Sequence, residues 1–194
     1  MGASMTTALD TRKNIVKGSL ADVAQSARQS LAQTFVDAEV VILVDTSGSM
    51  NTADSRGGRK RYDVAVEELT ALQAQLPGKV AVLSFSGEVM FCPSGTPYFF
   101  GGSTDMAGAL SFAHVADVPG IRFILISDGE PDNAGATFAE AKKFKAKIDT
   151  IFVGPETGSG RDFLAQLAAA SGGQTVTAER AIGLLGATQK LLAA

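Results

Sequence analysis

The stretch "VVILVDTSGSM", residues 40–50, runs five apolar residues straight into Asp45, and Thr46, Ser47, Gly48 and Ser49 follow. An unbroken apolar run of this kind reads as a strand buried on both faces of a parallel sheet. The small polar residues behind it are those that strand-to-helix turns prefer, so a plain turn accounts for each of them singly. Together they are also a cluster of hard oxygen donors behind a strand-end acid. The choice between the two readings falls to the rest of the chain.

Outward from this strand, apolar runs and amphipathic segments alternate. A polar loop, "NTADSRGGRKR" (51–61), leads to a helix over 62–76 that stops before Pro77-Gly78. Strands over 79–85 and 88–92 meet at Ser86-Gly87, close enough for an antiparallel hairpin. A helix over 105–116 follows the Gly-rich loop "PSGTPYFFGGS" (93–103), and "RFILISD" (122–128) repeats the opening theme of an apolar strand ending in an acid. A helix over 134–145, a strand over 148–153, a helix over 161–170, a short strand in "QTVTA" (174–178) and a final helix over 179–192 complete the pattern. Repeated βα units imply a three-layer α/β fold with right-handed crossovers.

Before all of this, Val16, Leu20, Val23, Ala27, Leu31 and Phe35 recur at helical spacing, which predicts one amphipathic helix over 11–36. The expected organisation is an N-terminal extension, 1–37, carrying that helix, and a single domain over 38–194. The apolar stripe is expected to cover the domain's own sheet.

Composition narrows the function classes. The 194 residues are 45% hydrophobic and 19% charged, with a net charge of −3, which gives no electrostatic case for nucleic acid or an anionic membrane surface. A lone Cys92 and a lone His114 leave no intramolecular disulfide and no zinc site of the usual kind. No apolar run approaches the ~20 residues that span a bilayer. The segment "MGASMTTALDTRK" lacks the apolar centre of a secretory signal and meets the myristoylation pattern only loosely. A cytoplasmic protein is expected.

In open α/β sheets ligands bind beyond the carboxyl ends of the strands, where the strand order reverses. Asp45 and Asp128 both end buried strands. If those strands are neighbours, their axes lie about 4.8 Å apart and both acids face one crevice. Ser47 and Ser49 sit on the loop after Asp45, and Thr104 follows Gly101 and Gly102, which allow close backbone approach. Five oxygens without nitrogen or sulfur suit Mg²⁺, Mn²⁺ or Ca²⁺. They do not easily fill the six positions around Mg²⁺, and two carboxylates only balance its charge. A carboxylate from a second molecule is the natural sixth ligand. Taken one by one, Thr104 reads equally well as a helix N-cap and Asp128-Gly129 as a routine turn. Asp132 and Asn133 read as the start of the next helix and stay outside the ligand set.

The segments "DTSGSM" (45–50), "GGSTDMAGAL" (101–110) and "ILISDGEPDN" (124–133) resemble the von Willebrand factor type A (VWA) family over roughly residues 38–192. The resemblance implies a Rossmann-like three-layer α/β fold whose central sheet is mostly parallel with one antiparallel edge strand. It also implies a metal-ion-dependent adhesion site, in which Asp45, Ser47, Ser49, Thr104 and Asp128 hold one divalent cation, Mg²⁺ first, with Mn²⁺ or Ca²⁺ as alternatives. The function implied is cation-dependent protein binding, with a partner's Glu or Asp side chain on the metal. Intracellular, bacterial-type members of the family work beside AAA+ ATPases of the MoxR type.

Two features outside the ligand set are candidates for a partner-binding rim. Arg56, Arg59, Lys60 and Arg61 form a basic cluster suited to an acidic partner, and Phe99 and Phe100 flank the Gly-rich loop. Catalysis is not expected. A phosphatase of the haloacid-dehalogenase type needs a second acid where Ser47 stands, His114 lies ten residues beyond Thr104, and no Walker lysine motif is present. The alternative from another class is a scaffold whose metal is structural and whose N-terminal helix makes the functional contact.

Overall fold

The computed structural model describes residues 14–155 and 159–178. Helices α1 (Leu20–Ala27) and α2 (Leu31–Val36) lead into β1 (Val40–Asp45). A 3-10 turn (Gly48–Asn51) and a small ladder of β2 (Ala53–Ser55) with β3 (Arg59–Lys60) precede α3 (Arg61–Gln75). Then come β4 (Val80–Phe85), β5 (Val89–Phe91), α4 (Met106–Ala113), β6 (Arg122–Ser127), α5 (Ala134–Ala141), β7 (Ile148–Phe152), α6 (Ser159–Ser171) and β8 (Thr175–Thr177).

The main sheet has the order β5-β4-β1-β6-β7-β8. Every pairing is parallel except β4 with β5, the antiparallel edge strand expected from the hairpin at Ser86-Gly87. Side chains alternate across it, as strand geometry requires. Val40, Ile42 and Val44 pack toward Val64, Leu69 and Leu72 of α3, and all six are buried. Val41 and Leu43 pack the other way, with Met106, Ala109 and Leu110 of α4 and Leu164 and Leu167 of α6. The result is three layers with β1 at the centre, each large apolar side chain contributing roughly 1.5–3 kcal/mol when fully covered. From β1 the chain runs outward to β4 and β5 on one side, then crosses to β6, β7 and β8 on the other. The loops leaving β1 and β6 therefore part at a topological switch point, where a crevice forms.

The single helix expected over 11–36 is instead two short ones in its described part. Gly18 has φ +84°, and a Cβ there would lie 2.2 Å from the Gln73 carbonyl oxygen, so the chain turns at this point rather than continuing a helix. Ser19 then caps α1. Arg28 adopts φ 55°, ψ 36° and ends it, with Gln29 N–H reaching back to Ala24 O at 3.0 Å. Ser30 starts α2 by accepting Gln33 N–H at 3.1 Å. The stripe is accordingly only half covered: Leu20 is buried and Val16 and Val23 are half-buried, whereas Ala27, Leu31 and Phe35 are exposed. Backbone bonds from Val16 to Ser94 O, Ala21 to Pro93 O and Gly78 to Gly18 O, each 2.8–2.9 Å, tie this segment to the far end of α3 and the loop after β5.

Two further boundaries differ. The polar loop after the first strand contains the β2–β3 ladder, and α5 ends at Ala141 because Asp117 captures the N–H groups of Lys145 and Ala146 at 2.7 and 3.0 Å. The helix expected over 179–192 lies outside the described residues. Among the described residues no helix is long and apolar enough to cross a membrane.

Candidate metal centre

Asp45 closes β1 with its carboxylate fully buried. Oδ1 accepts the Ser47 backbone N–H at 2.9 Å, and Oδ2 accepts the Ser127 hydroxyl at 2.6 Å. Ser127 Oγ in turn accepts Gly129 N–H at 2.9 Å, so the ends of β1 and β6 are joined through one serine. The Ser47 and Ser49 hydroxyl oxygens lie 3.2 Å apart. Thr46 faces away: its N–H and hydroxyl both bond Phe85 O, at 2.8 and 2.9 Å, which fixes the turn on β4.

The Gly-rich loop is laced to this turn by main-chain bonds. Gly48 N–H donates to Gly102 O at 3.0 Å and Gly101 N–H to Thr46 O at 2.8 Å. Gly101 and Gly102 have φ +73° and +81°, a left-handed conformation that glycine adopts without penalty. Thr104 is almost fully buried and is clamped from the third segment, since Asp132 Oδ1 accepts its N–H at 3.0 Å and Asp132 N–H donates to its carbonyl at 3.1 Å. Asp105, not Thr104, caps α4 by accepting Gly108 N–H at 2.9 Å. The Thr104 hydroxyl has no hydrogen-bond partner among the described residues.

Asp128 completes the group. Its carboxylate is fully buried, and Oδ2 accepts Arg61 Nη1–H at 2.7 Å. The Gly129 that follows has no alternative, because a Cβ there would come within 2.1 Å of Gly160 O at the start of α6. Burial, and then the charge of Asp128, lift the Asp45 carboxyl from 3.8 to about 6.

No protein-family model and no curated protein sequence matches this chain. Solved structures do. The manganese-loaded TRAP protein of Plasmodium vivax aligns with a TM-score of 0.58 at 18% identity, over 75% of this chain and 70% of that one. A von Willebrand factor type A protein from Catenulispora acidiphila aligns with a TM-score of 0.53 at 18% identity, over 75% of this chain and 40% of that one. The fold is that of a VWA domain.

Within this VWA fold, Asp45, Ser47, Ser49, Thr104 and Asp128 come from three separated segments, and hydrogen bonds between those segments hold them at the switch point. The donor set fits a hard divalent cation. It offers two carboxylates whose mutual repulsion a cation would relieve, and a threonine hydroxyl left without a protein partner. Among the described residues no three His, Cys, Asp or Glu side chains are grouped so as to hold a metal ion, so a cation here would depend on the hydroxyls.

The basic cluster is largely paired within the molecule. Arg56 pairs with Glu67 and Glu68 and with the Ala178 carbonyl, and Arg59 pairs with Glu67. Arg61 points inward, with its side chain 8% exposed, onto Asp54 and Asp128. The β2–β3 ladder folds these arginines back over the acids of α3, so three of the four charges are spent inside the molecule, and Lys60 alone of the four makes no ion pair among the described residues. Phe99 does lie at the surface of the Gly-rich loop, edge-on to Tyr62 at 5.0 Å, and Phe100 packs edge-on to Tyr98 at 4.9 Å. His114 sits at the end of α4, 3.2 Å from Lys143 O and edge-on to Phe144.

Sequence reasoning missed Ser127, read Asp132 only as the start of the next helix, and set Arg61 on the rim without its contact to Asp128. Ser127 had a usable signal: in the parallel register Val44 pairs with Ile126, which sets Asp45 opposite the residue just before Asp128. Arg61 had none, because its partners lie 7 and 67 residues away.

Proposed function

We propose that this chain is a divalent-cation-dependent protein-binding module. The observation that carries the reading is the hydroxyl of the buried residue Thr104, freed from capping duty by Asp105, without a hydrogen-bond partner among the described residues, and backbone-clamped by Asp132 to the segment that carries Asp128. Asp45, Ser47, Ser49, Thr104 and Asp128 would hold the ion. Mg²⁺ is the first candidate, and Mn²⁺ is supported by the manganese-loaded state of the Plasmodium protein that shares this fold. Bound there, the ion would supply an electrophilic point at the surface of the crevice. The chain's own residues do the rest. Ser127 and the Ser47 amide fix the Asp45 carboxylate, Asp132 fixes Thr104, and Gly101 and Gly102 leave room above the site for an incoming Glu or Asp side chain of a partner protein. Tyr98 and Phe99 offer apolar contact beside it, being 52% and 37% exposed. The setting is an intracellular, bacterial-type complex, with a MoxR-type AAA+ ATPase as the candidate associate. A binding role rather than catalysis accords with His114 being engaged at the far end of α4.

Calorimetry with Mg²⁺ and Mn²⁺ on wild type and Asp45→Ala tests the site, with one ion per chain expected for the former and none for the latter. Pull-downs from the native cell with and without EDTA test the partner, which should leave with the metal. Equal ion uptake by both proteins would remove the assignment.

A second reading has its own observation. Leu31, Phe35 and Val36 of α2 are exposed, and Phe112 and Val115 at the end of α4 are 50% and 85% exposed beside Phe35. A scaffold that docks through this apolar face would keep its partner in EDTA and lose it on Phe35→Ser.

A further inference from the structure

Among the described residues, Arg61 is the one cation paired with a member of the ligand set. It opens α3, its side chain is 8% exposed, and its guanidinium faces three acids. Asp54 grips it through a fork, with Nε on Oδ1 and Nη2 on Oδ2, both at 2.8 Å. Nη1 is thereby aimed at Asp128 Oδ2, 2.7 Å away, with Glu130 Oε1 at 3.9 Å. The two oxygens of Asp128 are consequently unequal. Oδ2 is taken by a full positive charge, whereas among the described residues Oδ1 meets only the Glu130 N–H at 3.4 Å. An arginine cannot give up its proton here, so the charge is permanent.

We infer that Arg61 is the resident counter-cation of the site: it neutralises Asp128 while no divalent ion is bound, and by occupying that carboxylate it lowers the affinity for the ion. The inference rests on the reading of the five oxygens as a cation site. Two effects act in the same direction. A positive charge beside the crevice repels an arriving cation, and the repulsion is stronger where burial lowers the effective dielectric. The same charge also stabilises the ion-free protein, because two buried carboxylates would otherwise lack a close counter-charge. Both make ion uptake less favourable. A residue that merely oriented Asp128 for the ion would do the opposite, and its removal would weaken binding. The Asp54 fork gives the device its geometry: the guanidinium cannot swing clear, so an ion must share Asp128 with it through Oδ1.

The test is Mn²⁺ binding by calorimetry on the full chain as wild type, Arg61→Gln and Arg61→Lys. Arg61→Gln is expected to bind Mn²⁺ about tenfold tighter or more, equivalent to ~1.4 kcal/mol. Its melting temperature should lie below wild type without ion and rise further on saturation. Arg61→Lys keeps the charge and should stay within about threefold of wild type. Binding by Arg61→Gln that equals or falls below wild type overturns the inference. If that variant does not fold, the wild-type protein decides the matter. The Arg61 Nε–H resonance, assigned through its own backbone, must shift when Mg²⁺ saturates the site, and an unmoved resonance overturns the inference. Wild type that takes up neither ion removes the cation reading itself, whereas wild type that binds while Arg61→Gln gains nothing removes only the role of Arg61.

Discussion

Two arginine–aspartate pairs, each with its carboxylate buried, stand at opposite ends of the same sheet, and they are finished differently. At the amino ends of β6 and β7, Arg122 Nη2 donates to Asp149 Oδ2 at 2.6 Å, and Asp149 Oδ1 accepts Gln174 N–H at 2.9 Å. Both oxygens of that acid have strong protein donors. At the carboxyl ends, Arg61 takes Asp128 Oδ2, and the remaining oxygen has only a long contact to Glu130. The chemistry is the same, yet one carboxylate is closed and the other keeps a lone pair in reserve. A buried acid with a close donor on each oxygen contributes to the fold, and one with an oxygen left short is available to a ligand.

The largest expected effect comes from the closed pair. Asp149→Ala leaves the Arg122 charge largely buried and uncompensated, and should lower unfolding free energy by about 3–5 kcal/mol in urea. Mn²⁺ affinity of the folded fraction should be unchanged. A change in affinity would show that the two ends of the sheet are not independent.

Thr104→Ala should do the reverse. Its hydroxyl serves no structural bond among the described residues, so stability should stay within about 0.5 kcal/mol of wild type. Ion affinity should fall by about tenfold or more, at least the loss usual for a residue that only supports a ligand. Ser127→Ala, which removes the hydroxyl from Asp45 Oδ2, should fall in the tenfold range and also cost stability.

A third effect is pH-dependent. Burial and Asp128 hold the Asp45 carboxyl at about 6 rather than 3.8, so the folded, ion-free protein binds that proton more tightly than the unfolded chain does. The charged form is therefore unfavourable to the fold above about pH 6, and the penalty fades as pH falls toward 4. In EDTA, the stability advantage of Asp45→Asn over wild type should shrink by on the order of 1 kcal/mol between about pH 7 and pH 5. A constant difference would place Asp45 in a more solvated setting than its burial indicates.

The smallest effect concerns the surface. Lys60→Ala should leave stability within about 0.5 kcal/mol and alter only the salt dependence of partner association. Replacing Arg56 or Arg59 instead should disturb the packing of the β2–β3 ladder on α3.

Most of the layered fold was legible because buried strands and strand-end acids announce themselves locally. The run from Val40 to Val44, its echo from Phe123 to Ile126, and the Asp-x-Ser-x-Ser turn all carry their meaning within a few residues. The break at Arg28–Ser30 did not, because the apolar stripe kept its helical period across it and the turn is set by one left-handed residue and one serine cap. The β2–β3 ladder and the inward turn of Arg61 were likewise hidden. A run of four basic residues within six positions reads as solvated, and it is Asp54 of β2, the acids of α3 and Asp128 after β6 that draw three of those side chains in.

The main-chain lacing of the crevice separates form from inheritance. Gly48 to Gly102, Gly101 to Thr46 and the Asp132 clamp on Thr104 draw on backbone atoms of Thr104 and of residues between the ligands, never on the ligand hydroxyls. Descendants of this chain could therefore exchange Ser47, Ser49 or Thr104 one at a time while the cradle kept its shape. Selection can tune, retire or recruit an ion here without first rebuilding the scaffold that presents it.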